Sequence, residues 1–150
     1  MSVKRIDHRV DLAIGHEEAF HAWTDFAQFP AFMGAVTRVT VTDALHSVWE
    51  LRVAGLDWEY DALITANDPG RMLEWITTSG EVSLAGRAVF DPLTETSSRL
   101  LMRIEWTPRG PLEHLASMFG GDSLIVRREL SAFRAHVEVA VRDGLPHPLR

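Results

Sequence analysis

Apolar side chains recur at two different periods along this chain, and the change of period divides it. Val3, Ile6, Val10, Leu12 and Ile14 mark an alternating stretch over residues 3–14 that predicts a first strand. Gly15 breaks it, and Glu17 and Glu18 follow where a helix N-terminus favours negative charge. That helix carries Phe20 and Trp23 at i, i+3. Asp25 is placed to N-cap a second short helix bearing Phe26 and Phe29, with Pro30 disturbing its continuation.

From Val36 onward the period becomes two. "VTRVTVTD" (36–43), "HSVWELRVA" (46–54) and "LDWEYDALITA" (56–66) predict three strands joined by short loops. "DPG" at 68–70 is a turn signal, because Pro69 fixes φ and Gly70 supplies a positive one. "RMLEWITT" (71–78), "EVSLAGRAVFD" (81–91) and "SSRLLMRIEW" (97–106) extend the meander to about seven strands, mostly antiparallel hairpin neighbours. Alternation also separates two faces. Trp49, Leu51 and Val53 oppose Glu50 and Arg52; Trp58, Tyr60, Ala62 and Ile64 oppose Asp57, Glu59 and Asp61; Leu100, Met102, Ile104 and Trp106 oppose Arg99, Arg103 and Glu105. One face is charged and the other is rich in large aromatics, so the sheet needs a cover.

The period then returns to helical. Val126, Leu130, Phe133 and Val137 fall at i, i+4, i+7, i+11 and predict a helix over 123–140. Leu112, Leu115, Met118 and Phe119 form a shorter stripe before it, and Gly120 and Gly121 separate the two. Strand, two short helices, six strands and one long helix make an α+β chain.

Composition narrows what such a domain does. At 150 residues, 46% apolar and 24% charged, the chain has the size and balance of one globular domain. Fifteen Lys plus Arg against 21 Asp plus Glu give −6, with the basic residues scattered, which excludes the basic patch that nucleic-acid binding needs. Absence of cysteine removes disulfides, thiolate zinc sites and a Cys nucleophile. The first residues lack the apolar run of a signal peptide, and no stretch approaches the roughly 18 apolar residues of a membrane span, so a cytoplasmic location is expected. The seven histidines are dispersed; Glu17 and His21 stand at i, i+4 without a third ligand in register, so no metal and no cofactor is expected. There is no nucleophile elbow and no Gly-rich phosphate loop.

The order of elements resembles the helix-grip fold of the START/Bet v 1-like (SRPBCC) superfamily, in its polyketide cyclase/dehydrase and coenzyme Q-binding branch. The resemblance spans roughly residues 3 to 140. It rests on "AFHAWTDFAQFPAFMGAVTRVTV", on "WEYDALITANDPGRMLEW", on "GRAVFDP" and on a C-terminal helix ending "RRELSAFRAHVE". It implies a curved antiparallel sheet gripping the long helix, with an apolar cavity between them and a small hydrophobic molecule (lipid, isoprenoid quinone or aromatic polyketide type) as partner. Phe20 and Trp23 are then expected to seal one end of the sheet, with Phe26 near the mouth. The expected lining is Trp23, Phe29, Phe32, Met33, Trp49, Trp58, Tyr60, Trp75, Met102, Trp106, Leu115, Met118, Phe119 and Phe133. Tyr60, on the parity of Trp58, and His114, beside Leu115, are the candidates for acid–base work. The inward positions otherwise hold almost no ionisable groups, which favours binding over catalysis. Three readings follow: a carrier or sensor of an apolar molecule, a cyclase/dehydrase-like enzyme, and a protein-interaction module. Homodimerisation stays open.

Overall fold

The computed structural model describes residues 4–53, 55–80, 83–106 and 124–142. Strand β1 (Lys4–Leu12) leads into helix α1 (His16–Thr24), a 3-10 turn (Phe26–Gln28) and helix α2 (Phe29–Phe32). Six strands follow: β2 (Val36–Val41), β3 (His46–Val53), β4 (Leu56–Asp68), β5 (Met72–Gly80), β6 (Leu84–Thr94) and β7 (Ser97–Trp106). Helix α3 (Leu124–Arg142) comes last. All seven strands form one antiparallel sheet in the order β1-β7-β6-β5-β4-β3-β2, curled into a half-barrel around α3. This is the helix-grip α+β architecture. No described helix is long and apolar enough to cross a membrane.

Strands β1 and β2 are neighbours in sequence but occupy opposite edges of the sheet. The helical segment between them must therefore travel the full width of the sheet, and it does so over the apolar face. Asp25 sits at its bend, ending α1 and opening the 3-10 turn without a side-chain capping bond, so the cap expected of it is absent. Pro30 lies in the first turn of α2, where its missing N–H costs nothing, and α2 is only four residues long. The turn at Gly70, with φ of +81°, is pinned to α1 from outside: His16 donates from Nδ1 to the Gly70 carbonyl at 2.7 Å.

Two features fix the register. On the convex face, opposite charges stand directly across strand pairs: Asp11 with Arg99 at 2.7 Å, Asp7 with Arg103 at 2.8 Å, and Arg52 with Asp57 at 2.8 Å. The arginine hydrogen bonds hold these three aspartates below the usual carboxylate range. Such exposed pairs add little stability, but a slip of one residue would turn every one of them into the core. On the concave face, α3 presents Val126, Leu130, Phe133 and Val137, all buried, to the sheet. Phe133 meets Trp23 edge-on at 5.1 Å, and Phe90 of β6 meets both Phe20 (5.7 Å) and Trp23 (6.4 Å). Ser98, fully buried, donates to the Ile14 carbonyl at 2.9 Å and ties the end of β1 to β7. Strand β4 carries irregularities at Asp61/Ala62 and Ile64/Ala66, and bulges of this kind bend a strand and sharpen its twist.

Gly86 is a point of close approach within the sheet. Its cross-strand partner is Trp75, whose indole lies over the glycine so closely that a Cβ at 86 would clash with the Cζ2 and Cε2 atoms of the ring. Gly86→Ala is expected to push Trp75 off its seat and cost about 1–3 kcal/mol, as overpacking does. A lowered melting temperature with a shifted tryptophan emission is the expected readout. Gly34→Ala, where an added methyl meets nothing, should melt like the parent protein. Equal melting of both variants would show that Trp75 does not depend on the glycine.

Candidate ligand-binding cavity

Where α3 does not fill the half-barrel, a cavity of about 170 Å³ remains. Its floor is the concave sheet: Trp49 and Leu51 from β3, Trp58, Tyr60, Ala62 and Ile64 from β4, Trp75 from β5, Leu84 from β6, and Met102 and Ile104 from β7. Trp23, Phe26, Phe29 and Met33 close it from the helical segment, and Val126, Glu129 and Leu130 from α3. The strand residues reach it because alternation puts one parity of each strand on the concave side.

The walls are held by rings. Trp23 meets Phe29 at 5.3 Å, Phe29 meets Trp49 at 5.4 Å, and Phe26 meets Trp49 at 5.6 Å, all edge to face. Trp49 and Tyr60 lie parallel, 5° apart with centroids 6.2 Å from each other. A continuous path of aromatic contacts thus runs from Phe90 in the core to Tyr60 at the cavity. Each such contact is worth about 0.5–1.5 kcal/mol beyond its buried area, so the wall is stiff.

Among the predicted lining residues, Trp23, Phe29, Met33, Trp49, Trp58, Tyr60, Trp75 and Met102 come together around this space. Phe32, Trp106 and Phe133 stand outside it. Phe32 turns away to stack on the His136 ring of α3, with centroids at 4.2 Å and planes at 14°. Phe133 is fully buried as the core residue behind Trp23. Trp106 shares the parity of Met102 but sits at the last position of β7, level with Lys4 and Leu84. Leu115, Met118, Phe119 and His114, with the glycine pair after them, lie outside the described residues.

The polar groups are few. Trp49 donates from Nε1 to Ser47 Oγ at 2.8 Å, which satisfies a buried hydroxyl at the cavity wall. Burial pushes the Tyr60 phenol well up, so it stays protonated. Glu129 accepts the Ala35 N–H on Oε1 at 3.1 Å, and its burial raises its pKa against the opposing pull of that bond and of Arg128. Glu129 Oε2 and Trp58 Nε1 are both buried with no hydrogen-bond partner among the described residues. Sequence reasoning passed over Ser47 and Glu129, although both left a signal. Ser47 has the parity of Trp49 and Leu51; Glu129 is at i+3 from Val126 and i−4 from Phe133, on the edge of the buried stripe.

Comparison with known proteins places this geometry. The family described as polyketide cyclase/dehydrase and lipid transport matches residues 15–133. The Zhui aromatase/cyclase from Streptomyces sp. R1128 superposes with a TM-score of 0.80 at 14% identity, covering 95% of this chain and 98% of that one. A START superfamily protein from Mycobacterium smegmatis gives 0.74 at 14% identity, covering 90% and 97%. An uncharacterized 17.2 kDa protein in the melC2-rnhH intergenic region of Streptomyces lincolnensis is 24% identical over 136 residues, 91% of either chain. The structural likenesses, at these identities, are likenesses of fold. The family match extends over most of the chain, from Gly15 at the entry to α1 to Phe133 on α3, and with it this chain belongs to the polyketide cyclase/dehydrase and lipid transport family.

Proposed function

We propose that the protein binds a small hydrophobic molecule in the cavity beneath α3. The observation that carries this is the void itself. A space of about 170 Å³, walled by apolar side chains and partly open to solvent, is left between the sheet and the helices. The wall is apolar and aromatic with a few polar groups, the usual make-up of a small-molecule site. Its volume is near the ~150 Å³ of a cavity that accepts benzene. That favours a compact ring system over an extended isoprenoid chain. The family match and the START-like and aromatase/cyclase neighbours support a ligand-binding or cyclase role.

One observation favours the second of these roles. Tyr60 and Glu129 line the same cavity, one a phenol kept protonated, the other a carboxyl made more basic by burial. Aldol cyclisation or dehydration needs one positioned donor and one acceptor. In this reading the ionised form of Glu129, present above its raised pKa, takes the proton adjacent to a carbonyl, and Tyr60 steadies the oxygen that gains charge. A carrier returns its ligand intact and an enzyme does not, so the mass of a bound ligand after incubation separates the two.

Titration with the neutral one-ring dye 4-nitroaniline is expected to quench tryptophan emission saturably, at one dye per chain. Ala62→Leu adds bulk to the buried floor and should weaken that binding by about tenfold or more, with the far-UV circular dichroism unchanged. No saturable quenching up to the solubility of the dye would refute a usable cavity.

The carboxyl of Glu129 also makes stability depend on pH. Its folded pKa lies above the unfolded value near 4.5, so the neutral form is favoured in the fold. The contribution is fully present below that unfolded pKa and is lost as pH rises through the folded one. Glu129→Gln is therefore expected to match the parent near pH 4 and to melt higher than the parent near pH 8. A variant equally stable at both would show that the carboxyl ionises in the fold as freely as in the unfolded chain.

A further inference from the structure

Two polar atoms beside the cavity lack a partner among the described residues, and they differ in kind from the satisfied pair formed by Trp49 and Ser47. Trp58 Nε1 belongs to an indole, which can only donate. Glu129 already spends Oε1 on the Ala35 N–H, leaving Oε2 over. The indole therefore calls for an acceptor whatever the state of the carboxyl, and in its neutral form the carboxyl carries its proton on that second oxygen and donates as well. Buried polar groups in folded proteins find partners, and where the chain supplies none, a water or a ligand does. The described lining contains no Lys, Arg or His to receive a negative charge.

We propose that Trp58 Nε1 and Glu129 Oε2 are the polar anchors of the cavity, and that its occupant is a neutral ring compound bearing a carbonyl or other acceptor oxygen, not a hydrocarbon and not a carboxylate. The inference rests on the binding reading above and adds what the bound molecule must offer. The raised pKa of Glu129 supports the donor state of its carboxyl. The parallel Trp49 and Tyr60 rings suit a flat body. The oxygen of that body then meets the indole N–H, the carboxyl proton, or both.

The test is a matched pair, acetophenone and α-methylstyrene, which differ only in C=O against C=CH₂. Calorimetric titration of the full chain gives the affinity of each. Without polar anchors the more hydrophobic alkene binds better; with them acetophenone is expected to bind at least as tightly, and benzoate not at all. A parent protein that prefers the alkene overturns the proposal without any variant. Trp58→Phe and Glu129→Leu are each expected to lower the ketone-over-alkene preference roughly three- to tenfold, the worth of one hydrogen bond, while alkene affinity holds. Glu129→Gln keeps an N–H donor in place and should retain the preference. If it loses as much as Glu129→Leu, the carboxyl acts as an acceptor and the ligand class is wrong. A preference unchanged in all three variants means that water serves both atoms, and the anchors fall while the binding reading stands. If neither compound binds the parent, the binding reading itself fails.

Discussion

A curled seven-stranded sheet offers more apolar concave surface than one helix can cover, and most of this structure answers that mismatch. Helix α3 seats its stripe of Val126, Leu130, Phe133 and Val137 in the half-barrel, but a helix is only about 10 Å across. The surface it leaves must be covered by something else. Because β1 and β2 lie at opposite edges, the chain between them has to cross the sheet, and its side chains do the covering. This explains the density of Phe20, Trp23, Phe26, Phe29 and Met33 in so short a segment. What neither α3 nor this segment fills is the cavity.

The same mismatch decides which residues are rigid. Aromatic rings cover area with few rotatable bonds, so a wall of interlocked rings loses little freedom when a ligand arrives. Trp75 is set by Gly86 beneath it, and Trp49 by its bond to Ser47 and by the rings around it. The cavity is thus shaped before anything binds. Its polar groups follow a different logic: Ser47 is satisfied from inside the chain, whereas Glu129 has one oxygen without a partner among the described residues.

Strand faces were legible in the sequence because burial on one side of a sheet imposes a period of two that no other element mimics. Trp49, Trp58, Tyr60 and Met102 were found this way. Alternation tells which face a residue takes but not whether its side chain reaches the cavity: Trp106 carried the same signal as Met102 and lies outside the lining, although its cross-strand partner Leu84 belongs to it. The helical segment was less legible. With a nine-residue helix, one 3-10 turn and four residues of α2, no period persists long enough to separate Met33, at the cavity, from Phe32, stacked on His136. Glu129 escaped notice for a reason of chemistry. A carboxylate in an amphipathic helix reads as solvated, and only the packed structure shows Ala35 donating to it.

Trp58, Tyr60 and Ala62 form a small apolar cluster of their own, distinct from the large one built on Phe90, Leu100 and Phe133, with Trp49, Leu51 and Leu84 touching both. The cavity takes its lining from both, with Met33, Met102 and Leu130 from the large cluster and Trp58, Tyr60 and Ala62 from the small one. Substitutions in the small cluster alter what fits inside while the large cluster goes on specifying the backbone. A lineage built this way can change the chemistry of its cavity wall without drifting in shape, through substitutions at a few β4 positions. The descendants of such a process keep a common architecture long after their sequences have stopped resembling each other.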